Sequence, residues 1–177
     1  KLPVVMVAPT DGAMISESGE DRRRFVNVVL SQMTPAYLSA IQRYNHLLEQ
    51  RNRLLKGSCP DDSLISVLDM QMSEPAGIVV AKRAEFANSL EPVVSDYYAR
   101  LCEGSERVSV SYKSDLLSGG EVLRMEDVLK ENCQRDRVLK YTSVFPLPVT
   151  PSSKKVLLIF LLFSTNSSND VALFKSI

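Results

Sequence analysis

The chain has 177 residues, of which 45% are hydrophobic and 24% are charged, as in an ordinary soluble globular protein with a hydrophobic core. Its 21 basic and 21 acidic residues cancel, so the net charge gives no argument for a nucleic-acid partner. The absence of Trp and the 7% aromatic content argue against a platform that stacks bases. The charge is uneven, however. Residues 17–56 carry an excess of basic side chains and residues 57–103 an excess of acidic ones, which indicates a polar surface with two faces.

The cysteines and the apolar runs exclude two further classes. Cys59, Cys102 and Cys133 are odd in number and lack Cys-x-x-Cys spacing, which argues against a disulfide framework or a zinc site and fits a reducing cytoplasm. The longest apolar run, Val156 to Phe163, is far shorter than the roughly 20 residues that a membrane span needs. The sequence therefore predicts a cytoplasmic protein without a membrane segment.

The first predicted elements are a strand and a helix. The apolar run Val4–Val7 is typical of a buried strand, and because the chain enters it without a Met we interpret the sequence as an internal segment. Ser18 precedes acidic residues as a helix start does, and the helix is predicted to run to about Met33. One face of this helix should carry Phe25, Val28 and Val29.

The clearest element is a second helix. Thr34 is a typical N-cap, Pro35 suits the first helical position because its missing N–H is not needed there, and Gly57 is a typical stop. Apolar residues recur between them at helical spacing on one face: Tyr37, Ile41, Tyr44, Leu48 and Leu55.

The rest of the chain alternates between helix and strand. A helical region should begin at Cys59–Asp61, be broken or kinked by Pro75 and Gly77, and resume from about Ile78 to Glu103. Val108, Val110 and Tyr112 alternate with polar residues as a half-buried strand does. A Gly119-Gly120 turn then leads into a helix that ends near Leu139, and from Phe145 the chain becomes rich first in proline and later in Ser, Thr and Asn. The predicted fold class is mostly α within α+β.

Several blocks of the sequence have the residue patterns of one known protein family, in the same order. Val4–Asp11 is similar to a strand ending in Pro-Glu-Asp, and Ser18–Asn27 to a Ser-x-x-x-Arg-Arg-x-Phe-Leu-Asp block. The most specific match is Tyr37, Tyr44 and the Gln-Arg-Asn-x-Leu-Leu-Lys stretch Gln50–Lys56. Further on, Tyr112–Leu116 resembles a Tyr-x-Ser-x-Leu strand end, and Arg135-Asp136 with Thr142 resembles the approach to a Gly-Pro-His-Arg-Asp-Asp motif. With these blocks the chain resembles the RecF family of recombination-mediator ATPases.

The departures from the family are local at first and then complete. Thr10 stands in place of Glu and Asn27 in place of Asp, and Phe145–Thr150 stands where Gly-Pro-His-Arg-Asp-Asp is expected. Nothing after that point resembles the family. We therefore expect a frameshifted or otherwise non-homologous tail from about Val144 onwards.

The resemblance implies an architecture in which a long helical hairpin or bundle, the arm, is flanked by short strands of an ABC-type ATPase head. Residues 1–15 would return to the head, 16–103 would form the helical arm, 104–144 would add a strand and a helix, and 145–177 would be the atypical tail. The chain has no Walker A or Walker B motif and no signature motif in the family's register. We therefore expect this segment to hold no cofactor and neither to bind nor to hydrolyse ATP by itself.

The resemblance also implies a function for the full protein. RecF proteins bind ATP with Mg, dimerise on it, bind duplex DNA at gaps and, with RecO and RecR, help to load RecA in gap repair and the SOS response. One alternative is a purely structural helical module that docks a protein such as RecR without touching DNA. Another is an unrelated ABC-like half built around Leu117–Glu121, whose Leu-Ser-Gly-Gly-Glu resembles an ATPase signature loop.

Six arginines are candidates for contact with DNA or a partner, because phosphate is the usual target of exposed guanidinium groups. They are Arg22, Arg23, Arg24, Arg43, Arg51 and Arg53. Arg51 lies close to the apolar face of its helix, so pairing with a buried carboxylate is its alternative role. The single histidine, His46, is expected on the surface, and the sequence predicts no catalytic or metal-binding residue.

Overall fold

The computed structural model describes residues 19–57, 60–101, 109–144 and 149–151, and within these ranges the protein is mostly helical. The helices are α1 (Gly19–Met33), α2 (Pro35–Lys56), α3 (Asp62–Leu101) and α4 (Met125–Leu139). The strands are β1 (Val110–Tyr112), β2 (Leu117–Ser118), β3 (Glu121–Val122) and β4 (Val149–Pro151). The predicted fold class is confirmed. The predicted strand at Val4–Val7, and the tail apart from β4, lie outside the described residues.

The chain divides into two compact units. The first, called here the helical unit, comprises Leu30–Lys82 and Lys113–Leu147. The second, called the terminal unit, comprises Lys1–Val29, Arg83–Tyr112 and Pro148–Ile177. Helix α3 contributes its first half to the helical unit and its second half to the terminal unit. The domain boundaries inferred from the sequence stay a prediction.

Helix α2 follows its predicted bounds, and its two ends differ in detail from expectation. Thr34 is extended, with φ −135° and ψ 103°, but its side chain makes no capping hydrogen bond. The start therefore depends on Pro35 and on the backbone, where the Tyr37 N–H donates to the Thr34 carbonyl oxygen at 3.0 Å. Gly57 ends the helix with φ −63°, so its role does not require the left-handed conformation. Leu47 is buried where Leu48 was expected, and Leu48 is half-buried.

In helix α1 the predicted end at Met33 is correct, but one of the three residues assigned to its apolar face is not buried. Val29 is buried and Phe25 is half-buried, whereas Val28 is 50% exposed. The buried positions are instead Val26, Val29 and Leu30, which lie three and four residues apart along one side of the helix.

Helix α3 runs unbroken for 40 residues, so a break at Pro75 and Gly77 is wrong, and the kink that was its alternative stays a prediction. Asp61 caps its start, because its Oδ1 accepts from the N–H groups of Ser63 at 2.9 Å and Leu64 at 3.1 Å. Pro75 removes one backbone hydrogen bond but is fully buried, and this packing offsets the loss. The helix also passes a simple length and hydropathy test for a membrane span, but 44% of that window is buried inside the protein, as in a core helix.

The remainder of the helical unit is a hairpin followed by a helix. Strands β2 and β3 pair antiparallel across Gly119 and Gly120, whose φ angles of 59° and 88° are those of a tight two-residue turn. Helix α4 follows. Because the side chain of Arg124 makes no capping bond, Ser73 of α3 serves instead, and its Oγ accepts from the Glu126 N–H at 2.9 Å.

In the terminal unit, β1 pairs antiparallel with β4, with Val110 opposite Pro151 and Tyr112 opposite Val149. Val110 and Tyr112 are buried and Ser111 is exposed, so the predicted half-buried strand is confirmed over these residues. Val108 lies outside the described residues.

Candidate functional site

The candidate arginines fall on two helices, and the structure separates them by exposure. On α1, Arg24 is exposed and Arg23 is half-buried and engaged in an interaction of its own. The side chain of Arg22 lies outside the described residues. The prediction that these residues contact DNA or a partner therefore stays open.

Two arginines lie on the outer face of α2, the face that carries exposed polar side chains. The Arg43 side chain is 55% exposed and its Nη1 lies 3.0 Å from Oε2 of Glu74. The Arg53 side chain is 76% exposed and its Nη2 lies 3.1 Å from Oε1 of Glu49, one helical turn earlier. His46 is exposed on the same helix, as predicted, within 2.7 Å of the Gln50 amide nitrogen. Both guanidinium groups are therefore accessible, although each already has a carboxylate partner.

Arg51 lies on the inner face of the same helix and is completely buried. Its Nε donates to Oδ1 of Asp69 on α3 at 2.6 Å, and its Nη1 donates to Oδ2 of Asp136 on α4 at 2.7 Å. Nη1 also donates to Oγ1 of Thr142 at 3.0 Å. In this conformation no surface of the Arg51 side chain reaches solvent, so the side chain is not accessible to DNA. The alternative, a pair with buried carboxylates, is confirmed.

A second layer of bonds surrounds this ion pair. Oδ1 of Asn52 accepts from both the N–H of Thr142, at 2.7 Å, and its hydroxyl, at 2.8 Å. Oδ1 of Asp136 accepts from the N–H of Ser143, at 2.8 Å, and its hydroxyl, at 2.6 Å. We call these six residues the Arg51 cluster: Arg51, Asn52, Asp69, Asp136, Thr142 and Ser143. The cluster joins α2, α3, α4 and the segment after α4.

Burial and pairing oppose each other in the cluster. Burial favours the neutral form of Arg51, but the hydrogen bonds and charges of Asp69 and Asp136 outweigh it, so the pKa of Arg51 is raised. Burial raises the pKa of Asp69; Arg51 opposes that rise, and the charges of Asp136 and Glu126 add to it. One cation thus faces two buried carboxylates. Nη2 of Arg51 is buried without an acceptor in the part of the chain that the structure describes. Such a cluster is costly to desolvate and more costly to break.

The cluster unites two of the motifs that carry the family resemblance. Gln50–Asn52 supplies the arginine and the asparagine, and Arg135-Asp136 with Thr142 supplies the carboxylate and the hydroxyl. Four residues of these motifs therefore meet in one buried contact between segments about 90 residues apart: Arg51, Asn52, Asp136 and Thr142.

Two further features bear on the site: a buried arginine that the sequence did not indicate, and the Leu117–Glu121 stretch that resembles a signature loop. Arg83 is 3% exposed in the terminal unit, where its Nη2 donates to Oδ1 of Asn27 at 2.8 Å. The signature-like stretch Leu117–Glu121 forms the β2–β3 hairpin rather than a loop opening a helix. This geometry argues against the ABC-like half as the basis of function. Within residues 19–57, 60–101, 109–144 and 149–151, no cluster of His, Cys, Asp or Glu side chains could hold a metal ion.

The fold is similar to that of two solved structures. A solved structure described as the recombination mediator protein RecF-ATPrS in the RecFOR pathway superposes with a TM-score of 0.79 at 20% identity, covering 91% of this chain and 49% of that one. A second, described as RecF-ATP, gives a TM-score of 0.76 at 19% identity.

Curated sequences give the family. The DNA replication and repair protein RecF of Phocaeicola vulgatus is 38% identical over 142 residues, covering 80% of this chain and 37% of the relative. That of Parabacteroides distasonis is 39% identical over 142 residues, covering 80% of this chain and 38% of the relative. No protein-family model matches. Over the matched residues the chain corresponds to a segment of RecF proteins, and it spans less than two fifths of the length of these relatives.

Proposed function

We propose that this chain is the helical-arm segment of a DNA repair and recombination protein. The observation that carries the proposal is the identity of 38% over 142 residues to relatives named for DNA replication and repair. In the full protein, ATP and Mg would drive dimerisation through the head, and the protein would act at gapped duplex DNA with RecO and RecR to help load RecA. We place it in the cytoplasm, without a membrane role.

The outer face of α2 is our candidate DNA-binding surface within this segment. Arg43 and Arg53 are ten residues apart, and both side chains are more than half exposed. Phosphate oxygens could replace their glutamate partners at little cost, because exposed ion pairs contribute only about 0–1 kcal/mol. Arg24, exposed on α1, is the remaining accessible candidate with a described side chain.

A salt titration of the 177-residue chain with gapped duplex DNA tests this proposal. For binding through phosphate contacts, the logarithm of the association constant falls linearly with the logarithm of the salt concentration. The slope is about 0.9 for each phosphate neutralised. The double variant Arg43→Met with Arg53→Met should lower that slope by about 2. The control is Arg100→Met, which removes an exposed arginine paired with Asp96 in the terminal unit. An unchanged slope in the double variant would remove α2 from the DNA-binding surface.

A second candidate function is a protein-docking module that does not touch DNA. The observation in its favour is that Arg43 and Arg53 are each already neutralised by a glutamate. In that case the chain would show no salt-dependent DNA affinity, while retaining binding to a purified partner such as RecR. A nucleotide titration of the same chain should detect no ATP binding, and micromolar affinity would contradict our assignment of the nucleotide site to other parts of the full protein.

A further inference from the structure

The segment that follows α4 is held in an unusual way for a connection between a helix and a strand. Helix α4 ends at Leu139, the next residue Lys140 adopts the left-handed conformation with φ 58°, and Tyr141 is 45% exposed. Such a position normally frays, because its backbone groups bond to water. Here the chain turns inward instead, and Thr142 is fully buried and Val144 is 3% exposed.

In the segment Thr142–Val144, every polar group with a described partner bonds to Arg51, Asn52 or Asp136. Asn52 of α2 accepts both the N–H and the hydroxyl of Thr142, and Arg51 donates to the same hydroxyl oxygen. Asp136 accepts both the N–H and the hydroxyl of Ser143, and its other oxygen accepts from Arg51. The segment therefore cannot leave its place without exposing or stranding a buried ion pair.

We infer that Arg51 and Asn52 are positioning residues that lock Thr142–Val144 to the core of the helical unit, so that the segment opens only when the unit itself opens. Local release would leave Thr142 and Ser143 with solvated backbone groups but would also leave Arg51 and Asp136 short of buried partners. Helix α2 also carries the exposed Arg43 and Arg53, although the lock itself does not depend on the proposed DNA binding.

Amide hydrogen exchange of the 177-residue chain, followed residue by residue across a series of low denaturant concentrations, tests the lock. In the unsubstituted chain, the Thr142 and Ser143 amides should exchange slowly and with the same denaturant dependence as core amides of α2 such as those of Leu47 and Leu55. In Asn52→Ala, Thr142 should exchange at least about 100-fold faster and lose its denaturant dependence while the α2 amides keep theirs. The control Asn45→Ala, which alters an exposed asparagine of the same helix, should change neither.

A second pair of variants covers the case in which Asn52→Ala unfolds the whole unit. Thr142→Val removes the hydroxyl that bonds Arg51 and Asn52, and Thr142→Ser keeps it. The lock is supported if the amides at positions 142 and 143 exchange faster in Thr142→Val and if their slow exchange is retained in Thr142→Ser. Exchange of these amides at the rate of an exposed loop in the unsubstituted chain, or equal rates in the valine and serine variants, would overturn it.

Discussion

The two faces of α2 carry the same side chain in opposite surroundings. Arg51 is fully buried and donates to two carboxylates and a hydroxyl, whereas Arg53 is 76% exposed and contacts one glutamate of its own helix. In low dielectric the attraction between charges is strong, but so is the cost of removing each from water. At the surface both terms are small. The comparison shows that the role of an arginine in this motif depends on the face of the helix on which it lies, and not on its neighbours in sequence.

The largest effect should come from Arg51→Met. Methionine fills part of the space but leaves Asp69 and Asp136 buried without a cation, so we expect a loss of about 3–5 kcal/mol in the free energy of unfolding. Urea denaturation of the 177-residue chain measures it. Arg53→Met is the matched control on the same helix and should stay within about 0.5 kcal/mol. Equal losses in the two variants would erase the distinction between the faces.

The next effect tests the α4 side of the cluster. Asp136→Asn keeps the shape of the side chain but removes its negative charge and one of the two oxygens that accept from Arg51 and Ser143, so we expect a loss of about 2–3 kcal/mol. Glu131→Gln, an exposed acid on the same helix, is the control and should be nearly neutral. If the two substitutions behaved alike, Asp136 would contribute no more than a surface residue.

The inner face could be predicted from the sequence only in part. The apolar spacing of α2 placed Arg51 beside the core and led to the alternative of a buried pair, but the partners could not be named. Asp69 lies between Leu68 and Met72, and Asp136 lies on the side of α4 that buries Met125 and Leu129. An acidic residue on the apolar face of a predicted helix is the sequence signal that could have indicated a buried partner for Arg51. Which carboxylate meets which arginine depends on packing between helices, which local periodicity does not contain.

The prediction of a break in α3 was wrong for a related reason. Proline and glycine within a helical pattern favour a break when only local propensity is considered. In the structure Pro75 is buried, and a Cβ on Gly77 would come no closer than 4.0 Å to Val122 of the β2–β3 hairpin. Tertiary packing against the rest of the helical unit thus overrides the local preference. The hairpin itself was foreseen only as a turn, because two-residue strands have too few positions to show alternation.

A smaller effect, and one that depends on pH, is expected for Asp69→Asn. Burial raises the pKa of Asp69 despite the opposing effect of Arg51, so the folded protein binds this proton more tightly than the unfolded chain does. Its stabilising contribution is present below the unfolded pKa of about 3.9 and is lost as pH rises through the raised folded value. The unsubstituted chain should therefore lose stability relative to Asp69→Asn as the pH rises above about 4. Unfolding curves at several pH values measure this, with Glu91→Gln as the control, and parallel profiles would contradict the role of burial.

The smallest effect on stability should come from the outer face. Arg43→Met and Arg53→Met each remove an exposed ion pair, and each should change the free energy of unfolding by no more than about 0.5 kcal/mol, additively in the double variant. This neutrality makes them suitable for the DNA titration, because a loss of affinity in a variant of unchanged stability reports on the surface alone. A loss of more than about 1 kcal/mol in either variant would mean that its glutamate pair is structural, as the Arg51 pairs are. The outer face of α2 would then be a second structural contact, and a DNA-binding surface would have to be sought around Arg24 on α1.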